Sequence, residues 1–443
     1  TIIASGGAVT INNSLPLQAR SYYSSGSKWS ALNEATFSVG PIKDKLRITE
    51  LMFHPTEPND PCQEYVELKN IGTSALNLNL VKFTEGIHFT FPNMTLAAGD
   101  YILVVEDINV FNAKYGAGKN VAGQYTGNLA NDGEHIRLED AIGRTIHDFN
   151  YADGWQDVTD GDGFSLNIFD TSVDANDWNK QESWAASKYA GGTPDTDDSA
   201  LLKERSIAIN ELLAHSDSSP GDWIELKNTT SASINIGNWF LSDDAEDLTK
   251  YQIKAGTVLA PGAYLVLSAD ANFGTASSDT GKLVDFAFSE YGETAYLTSS
   301  DGTVITGYRE KEDFDASENG IAFGRYQKST GSYNFVAMSS NTPGAANAYP
   351  KVGQVVINEI MYNPPDLNGQ NSEYIELRNT TGSRVNLYDV NGVGWEFSDG
   401  IDYVFPSDAN IPANGYLLVV KTTPAYFRTR YIVPSNVMVF GPY

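Results

Sequence analysis

Residues 64–70 read Glu-Tyr-Val-Glu-Leu-Lys-Asn, and the pattern returns as Asp-Trp-Ile-Glu-Leu-Lys-Asn at 222–228 and as Glu-Tyr-Ile-Glu-Leu-Arg-Asn at 373–379. In each copy two aliphatic residues alternate with a glutamate and a basic residue. This period of two is typical of a half-buried β-strand, whose aliphatic side chains face the core. The three stretches therefore predict the same strand in three places.

Each strand lies within a longer repeat. A motif of the type Asn-Glu-aliphatic, which reads Thr-Glu-Leu in the first copy, precedes it in segments that begin at Arg47, Ile207 and Val356. An aliphatic-Asn-aliphatic stretch follows, and then a Gly-Tyr or Gly-Asp-Tyr turn leads into three or four aliphatic residues, which predicts a central strand buried on both faces. Repeats of about 150 residues have the size of autonomous domains rather than of solenoid turns.

Composition supports an all-β chain and excludes several classes of function. The 39 Gly and 24 Tyr fit strands joined by tight turns. With 56 acidic against 29 basic residues, the charge of −27 would repel nucleic acid, whereas divalent cations remain acceptable partners. Cys62 is the single cysteine, so no disulfide forms within the chain, and no apolar run approaches the ~20 residues that insertion into a membrane requires.

Taken together, the Asn-Glu-aliphatic motif, the strand of residues 64–70 and its two copies, and the Leu-x-x-Gly-x-Tyr-Leu-Val segment resemble the lamin tail domain in its bacterial version. The resemblance implies tandem immunoglobulin-like β-sandwiches and an all-β fold class. It also implies a large secreted or surface-anchored protein, in which such domains often accompany kinase-like spore-coat domains, nucleases or phosphatases. The family implies no catalytic activity in the domain itself.

Four domains are predicted. Residues 1–40 resemble the C-terminal strands of a fibronectin-III-like module, residues 41–199 and 200–349 form lamin-tail-like domains 1 and 2, and residues 350–443 form a third that is incomplete at its C-terminus. Three explanations fit such ends: the chain is a piece of a larger polypeptide, only this part is ordered, or a partner supplies strands by edge addition.

Recurring glutamates are the first candidates for chemistry. They form the pairs Glu50/Glu67, Glu211/Glu225 and Glu359/Glu376. Paired carboxylates serve acid–base catalysis or bind Ca²⁺. Their presence in all three repeats favours a structural role instead, such as accepting hydrogen bonds from loop amides. The chain also lacks a Gly-x-Ser-x-Gly elbow and a complete phosphate loop, so we predict no enzyme and no catalytic or cofactor-binding residue.

The metal candidate is the loop Asp160-Gly-Asp162-Gly, because carboxylates alternating with glycines can wrap oxygen ligands around Ca²⁺. Asp170, Asp174 and Asp177 lie close enough in sequence to assist. A plain Asp-Gly turn also explains these residues, and both alternatives stay open.

We therefore predict a non-catalytic structural or adhesive segment of a large extracellular bacterial surface protein, whose partners are other protein domains, copies of itself or cell-surface glycans. One alternative is a set of accessory domains of a secreted enzyme whose catalytic domain lies outside these residues. Another is carbohydrate binding through tryptophan rings, since stacking on sugars needs exposed aromatics. Most tryptophans are nevertheless predicted to be core residues, because Trp223 occupies the position of Tyr65 and Tyr374.

Overall fold

The computed structural model describes residues 3–4, 7–40, 42–56, 63–198, 201–365 and 372–443. The chain divides into two compact units, residues 1–337 with 341–347, and residues 338–340 with 348–443. The first unit contains the first two repeats, and the second contains the third. The predicted boundaries of the four domains stay predictions.

Residues before the first repeat form two short ribbons. The strands are β1 (Leu15–Ala19), β2 (Tyr22–Tyr23), β3 (Lys28–Trp29) and β4 (Asn33–Phe37), with a 3-10 turn at Ser24–Gly26 between β2 and β3. β1 pairs with β4 and β2 with β3, both antiparallel. Ser14 joins this segment to the first repeat, since its amide donates to Asn77 Oδ1 at 3.2 Å. The fibronectin-III-like resemblance stays a prediction.

The first repeat is a sandwich of two sheets. Its strands are β5 (Leu46–Met52), β6 (Tyr65–Asn70), β7 (Leu76–Asn77), β8 (Lys82–Glu85), β9 (Phe89–Thr90), β10 (Thr95–Leu96), β11 (Tyr101–Val105), β12 (Val121–Gln124), β13 (His135–Glu139), β14 (Thr145–Asn150), β15 (Leu166–Ile168) and β16 (Trp184–Ala186). One sheet has the order β12-β11-β6-β5-β15-β16, the other β14-β13-β8-β9, and β7 pairs with β10. Short 3-10 helices lie at Asp153–Trp155, Asp157–Thr159, Ala175–Asn179 and Gln181–Ser183.

One α-helix, α1 (Ile108–Tyr115), crosses outside β11. Asp107 caps its first turn by accepting hydrogen bonds from the amides of Asn109 and Val110, and Gly116, at a φ of +86°, ends it. Phe111 of α1 is fully buried with Leu103 and Tyr65, so the helix covers the outer face of the β11 sheet.

The second repeat follows the same order with fewer strands. They are β17 (Ile207–Leu213), β18 (Trp223–Asn228), β19 (Ile234–Asn235), β20 (Phe240–Ser242), β21 (Tyr251–Gln252), β22 (Val258–Leu259), β23 (Tyr264–Ser268), β24 (Gly292–Ser300), β25 (Ile305–Asp315), β26 (Phe323–Gln327) and β27 (Tyr333–Ala337). The sheets are β23-β18-β17-β26-β27 and β21-β20-β24-β25, and β19 pairs with β22. A single π-helical turn, Ala269–Phe273, follows β23 in place of an α-helix.

The third repeat has strands β28 (Val355–Met361), β29 (Tyr374–Asn379), β30 (Val385–Asn386), β31 (Glu396–Phe397), β32 (Tyr403–Val404), β33 (Asn410–Ile411), β34 (Tyr416–Val420) and β35 (Met438–Phe440), with helix α2 (Pro424–Tyr431). Its main sheet has the order β28-β29-β34-β35. α2 places Phe427 against Leu418 and Val420, as α1 does with Phe111 in the first repeat.

Sequence periodicity predicted the core correctly. Val66 and Leu68 lie inside the first sandwich, as do Ile224 with Leu226 in the second, and the all-β immunoglobulin-like class is confirmed. Glu67 departs from the pattern of an exposed polar face, because only 1% of its surface is exposed. The prediction of a central strand after each Gly-Tyr turn is confirmed for β11 and β34 but wrong for β23, which ends its sheet among the described strands.

Candidate functional site

Each glutamate pair lies side by side on two neighbouring antiparallel strands. Glu50 pairs with Glu67, Glu211 with Glu225 and Glu359 with Glu376. In every repeat the register shifts by one residue just before the first glutamate, which is a β-bulge. The bulge lets aliphatic residues on both sides of that glutamate, such as Ile48 and Leu51, enter the core. The glutamate itself then lies on the outer face of the sheet.

In the first repeat a loop after β16 closes over Glu50. Glu50 Oε1 accepts hydrogen bonds from the Thr193 amide at 2.9 Å, the Tyr65 hydroxyl at 2.7 Å and the Ser165 hydroxyl. Gly192, at a φ of +73°, permits this approach, since a Cβ there would lie 2.3 Å from Glu50 Oε1. Glu50 Oε2 is buried and has no hydrogen-bond partner in the described part of the chain.

Glu67 holds the next turn of the same loop. Its Oε2 accepts the Asp195 amide at 2.6 Å, and its Oε1 accepts the Thr49 hydroxyl at 2.6 Å. The turn Thr193–Thr196 has proline second and Asp195 third at a φ of +68°, the pattern of a type II turn, and it is closed by the Thr196 amide on the Thr193 carbonyl at 3.1 Å. The positive φ therefore belongs to the residue whose amide meets Glu67.

The second repeat builds the same clasp with different residues. Thr342 donates its amide to Glu211 Oε1 at 2.9 Å and its hydroxyl to Oε2 at 2.7 Å. Gly344, at a φ of +80°, donates its amide to Glu225 Oε2. Asn210 donates to Glu225 Oε1 at 2.6 Å. The Thr-Pro-x turn after the last sheet strand is thus pinned by both carboxylates in each of these repeats.

In the third repeat the described partners of the pair come from its own strands. The Tyr374 hydroxyl donates to Glu359 Oε1 at 2.7 Å, and Asn358 donates to Glu376 Oε1 at 2.6 Å. Glu359 is exposed, whereas Glu50 and Glu211 are fully buried.

Electrostatics supports a structural role for the buried pairs. Burial raises the pKa of Glu50 and Glu67, and the Glu50 charge raises the pKa of Glu67 further. Burial likewise raises the pKa of Glu211 and Glu225. An acid–base pair in catalysis must meet substrate, but 0% of Glu50 and 1% of Glu67 is exposed. The loop amides occupy the side from which a substrate would have to approach.

The asparagine that ends each repeated strand has a role that the sequence did not reveal. Asn70 Nδ2 donates to the carbonyls of Ser74, Leu96 and Ala97 at 2.9–3.0 Å, and its Oδ1 accepts the Gly72 amide at 2.9 Å. Asn228 and Asn379 make the equivalent hydrogen bonds to loop backbone groups, and all three asparagine side chains are fully buried. The invariable Asn within the three copies was the available signal.

The predicted calcium loop has partners within the protein. Asp160 Oδ1 lies 2.6 Å from His54 Nδ1, and Asp162 Oδ2 accepts from Arg309 Nη1 at 2.9 Å. The three nearby aspartates point to local partners: Asp170 to Ser172, Asp174 to Asn176 and Asp177 to Lys180. Among the described residues no group of three or more acidic, His or Cys side chains could hold a metal ion. Calcium binding by Asp160 and Asp162 stays a prediction.

Sequence reasoning also missed the acidic residue that directly precedes the aromatic residue at the start of the repeated strand. Glu64 accepts the Leu129 amide at 2.7 Å and the Tyr125 hydroxyl at 2.9 Å, and burial raises its pKa to about 7. The equivalent Asp222 has its pKa raised to about 6 by burial. Glu64 is buried within the fold, whereas Asp222 is half-buried and lines a surface cavity together with His215 and Glu290.

Tryptophan rings are mostly core residues, as predicted. Trp178, Trp184, Trp223 and Trp239 expose 0–5% of their surface, whereas Trp395 exposes 47%. Trp223 pairs across the sheet with Leu213, as Tyr65 does with Met52. No helix in the described ranges is long and apolar enough to cross a membrane.

These features define tandem immunoglobulin-like sandwiches whose repeated carboxylates hold loops in place. The family model described as Lamin Tail Domain matches residues 41–153, 203–312 and 349–437, which together exceed half of the chain. The chain therefore belongs to the lamin tail domain family, in three tandem copies, and such domains are generally non-catalytic. A search among curated proteins and a search among solved structures each found no match.

Proposed function

We propose that this chain is a non-catalytic spacer and interaction segment of a large extracellular bacterial surface protein. The observation that carries the proposal is the use of both buried glutamate pairs to hold closing loops. The constellation with the strongest resemblance to an acid–base centre thereby has a structural explanation in the two repeats where it is buried.

A spacer also needs a defined junction between its domains, and the first two repeats meet closely. The Gly307 amide of β25 donates to the Lys188 carbonyl after β16 at 3.1 Å. A Cβ at Gly307 would lie 1.9 Å from the Ser187 carbonyl oxygen, so a larger residue cannot occupy this place without separating the repeats. Backbone packs against backbone at this junction.

Ion pairs flank that contact. Arg309 bonds Asp162 at 2.9 Å, and Lys311 bonds Asp157 at 2.5 Å. The two aspartates are about half exposed, so each pair stabilises the junction by no more than about 1 kcal/mol. The Tyr189 hydroxyl adds a hydrogen bond to Asp301 at 3.2 Å. Close packing at Gly307 is therefore the main determinant of the junction.

The Gly307→Ala substitution tests whether the junction between the first two repeats is rigid. Spin labels at Cys residues replacing Ala117 and Ala276, in a Cys62→Ser background, report the distance between the two repeats by pulsed electron resonance. We expect a narrow distance distribution in the parent chain and a broad one in Gly307→Ala. Gly118→Ala is the matched control, because no atom lies within 4 Å of a Cβ built at Gly118.

Equal widths in the parent and Gly307→Ala would contradict the rigid junction, as would a broad distribution in the parent. Placement at the cell surface needs a separate experiment. Antibodies to the purified chain should label intact cells of the native host, and protease treatment of those cells should remove the label. Label seen only after cell lysis would contradict an extracellular position.

A further inference from the structure

In the described part of the chain, the second repeat leaves the outer edge of β23 without a paired strand, although both sister repeats cover the equivalent edge. In the first repeat β12 adds to β11 as a parallel strand, with Leu103 opposite Val121. In the third, β35 adds in parallel to β34, with Leu418 opposite Val439. Among the described strands of the second repeat, none pairs with this edge of β23.

Side-chain exposure follows the same difference. Val266 is opposite Glu225, as Leu103 is opposite Glu67. Leu103 is fully buried, and its counterpart Leu418 in the third repeat is 6% exposed, but Val266 is 38% exposed. Helices α1 and α2 cover the sister residues, whereas the π-helical turn of the second repeat sends Phe273 into the sandwich core.

The backbone of Val266 points outward as well. In the first repeat the Leu103 amide donates away from β6, to the Asn120 carbonyl, at 2.9 Å. Because Val266 has the same register on β18 as Leu103 has on β6, its amide and carbonyl also point away from the neighbouring strand. The next outward residue, Ser268, donates its amide to Asn272 Oδ1 at 3.0 Å, so the open part of this edge centres on Val266. Outward backbone groups of this kind are a template for an added strand.

The chain segment that could have covered this edge lies elsewhere. Leu283 and Val284 follow Gly-Lys, as Val121 follows Gly-Lys-Asn in the first repeat. Their amides donate instead to the Lys250 carbonyl, at 2.9 and 3.0 Å, beside β21. The open edge is therefore built into the second repeat by its own loop.

We propose that the outer edge of β23 binds an extended segment of a different protein as an added parallel strand. The inference rests on the proposed function as an interaction module and names its surface and partner. Parallel addition follows from the sister repeats, and aliphatic residues in the segment would cover Val266. The chain has a charge of −27, so a segment of a different protein that carries a basic residue is favoured over a second copy of this acidic chain.

A peptide of this chain supplies the probe. Labelled Lys-Asn-Val-Ala-Gly-Gln-Tyr-Thr, the sequence of residues 119–126, is titrated into the full chain, whose own β11 edge is already occupied. We expect saturable binding by fluorescence anisotropy, together with slower hydrogen exchange of the Val266 amide. Val266→Pro removes the outward amide without removing a bond to β18, and it should weaken binding about tenfold, the value of one good hydrogen bond. Val266→Thr keeps the amide and should change binding far less.

A second perturbation on the peptide avoids any effect on folding of the chain. In the first repeat the Tyr125 amide donates to the Val105 carbonyl at 3.0 Å, so N-methylation at that tyrosine should abolish binding. N-methylation at the preceding glutamine is the control, because successive amides of an extended strand point in opposite directions. Absent binding, or binding unaffected by Val266→Pro and by the tyrosine methylation, would overturn the proposal.

Light scattering of the chain alone identifies the source of the segment. A dimer that Val266→Pro dissociates would overturn the proposal in favour of a second copy of the chain, and a monomer supports a different protein. Loss of peptide binding leaves the distance distribution across Gly307 unchanged, so failure here is distinguishable from failure of the spacer.

Discussion

Replacing Glu67 by Ala and by Gln separates a structural carboxylate from a chemical one. Glu67→Ala removes the carboxylate that accepts the Asp195 amide and the Thr49 hydroxyl, both at 2.6 Å in the native protein, and leaves the hydroxyl only the main-chain carbonyl of residue 67 at 3.4 Å. A buried donor without a partner costs about 1–3 kcal/mol, so we expect the first repeat to lose about 3 kcal/mol of stability. Gln keeps an acceptor for the amide and can donate to the hydroxyl, so Glu67→Gln should cost less than about 1 kcal/mol.

The pH dependence of folding stability follows from the direction in which the pKa of Glu67 is shifted. Burial raises the folded-state pKa of Glu67, so the folded protein binds the proton more tightly than the unfolded chain does. The stability from this proton is fully present below the unfolded pKa of about 4.3 and is lost as pH rises through the folded pKa. Gln cannot ionise, so the Gln variant should lose less stability than the parent between pH 5 and pH 8.

Urea unfolding followed by fluorescence is the assay, because Trp178 and Trp184 are buried in the first repeat and report its loss. Glu85→Gln, at an exposed carboxylate, is the control. A Gln variant as unstable as the Ala variant at every pH, or an Ala variant as stable as the parent, would refute the role of Glu67 in holding the closing loop.

Three further predictions follow from the buried polar groups and the acidic loop. Asn70→Ala removes the side-chain amide that donates to three carbonyls and should lower the free energy of unfolding in urea by about 3 kcal/mol, whereas Asn93→Ala at an exposed site should leave it almost unchanged. Equal effects of the two substitutions would contradict the structural role of Asn70. Burial raises the pKa of Glu64 to about 7, so its proton stabilises the folded state fully below the unfolded pKa of about 4.3, and at most about 4 kcal/mol of this stability is lost as pH rises through 7; Glu64→Gln should flatten this slope, and an unchanged slope would contradict the prediction. Calcium titration followed by calorimetry tests the proposed loop site: binding that is lost in Asp160→Asn and Asp162→Asn supports it, and absence of heat at millimolar Ca²⁺ refutes it.

Strand alternation and repetition were sufficient to predict the fold, because they reflect which side chains leave water. The alternation that includes Val66 and Leu68 predicts a row of core-facing side chains without information from the rest of the chain. Repetition also predicted that the glutamates would bond loop amides. The partners were harder to predict, since Thr193 and Asp195 are about 130 residues or more from the glutamates they meet.

A local sequence pattern does not show which distant parts of the chain pair with a strand or contact a loop. The aliphatic run of β23 resembles that of β11, yet among the described strands β23 is an edge strand, because the following loop turns toward Lys250. The carboxylates of Asp160 and Asp162 suit a cation by themselves, but their partners His54 and Arg309 come from distant parts of the chain. The close approach at Gly307 likewise depends on another repeat and has no signal in the local sequence.

Amide hydrogen exchange of the two Thr-Pro-x turns tests the central claim most directly, namely that the buried glutamate pairs hold closing loops. In the parent chain we expect the amides of Thr193, Asp195, Thr342 and Gly344 to exchange slowly, as strand amides do, and Glu67→Ala should accelerate Asp195 while leaving Gly344 unchanged. Exchange of these four amides at the rate of open loops in the parent chain would contradict the account.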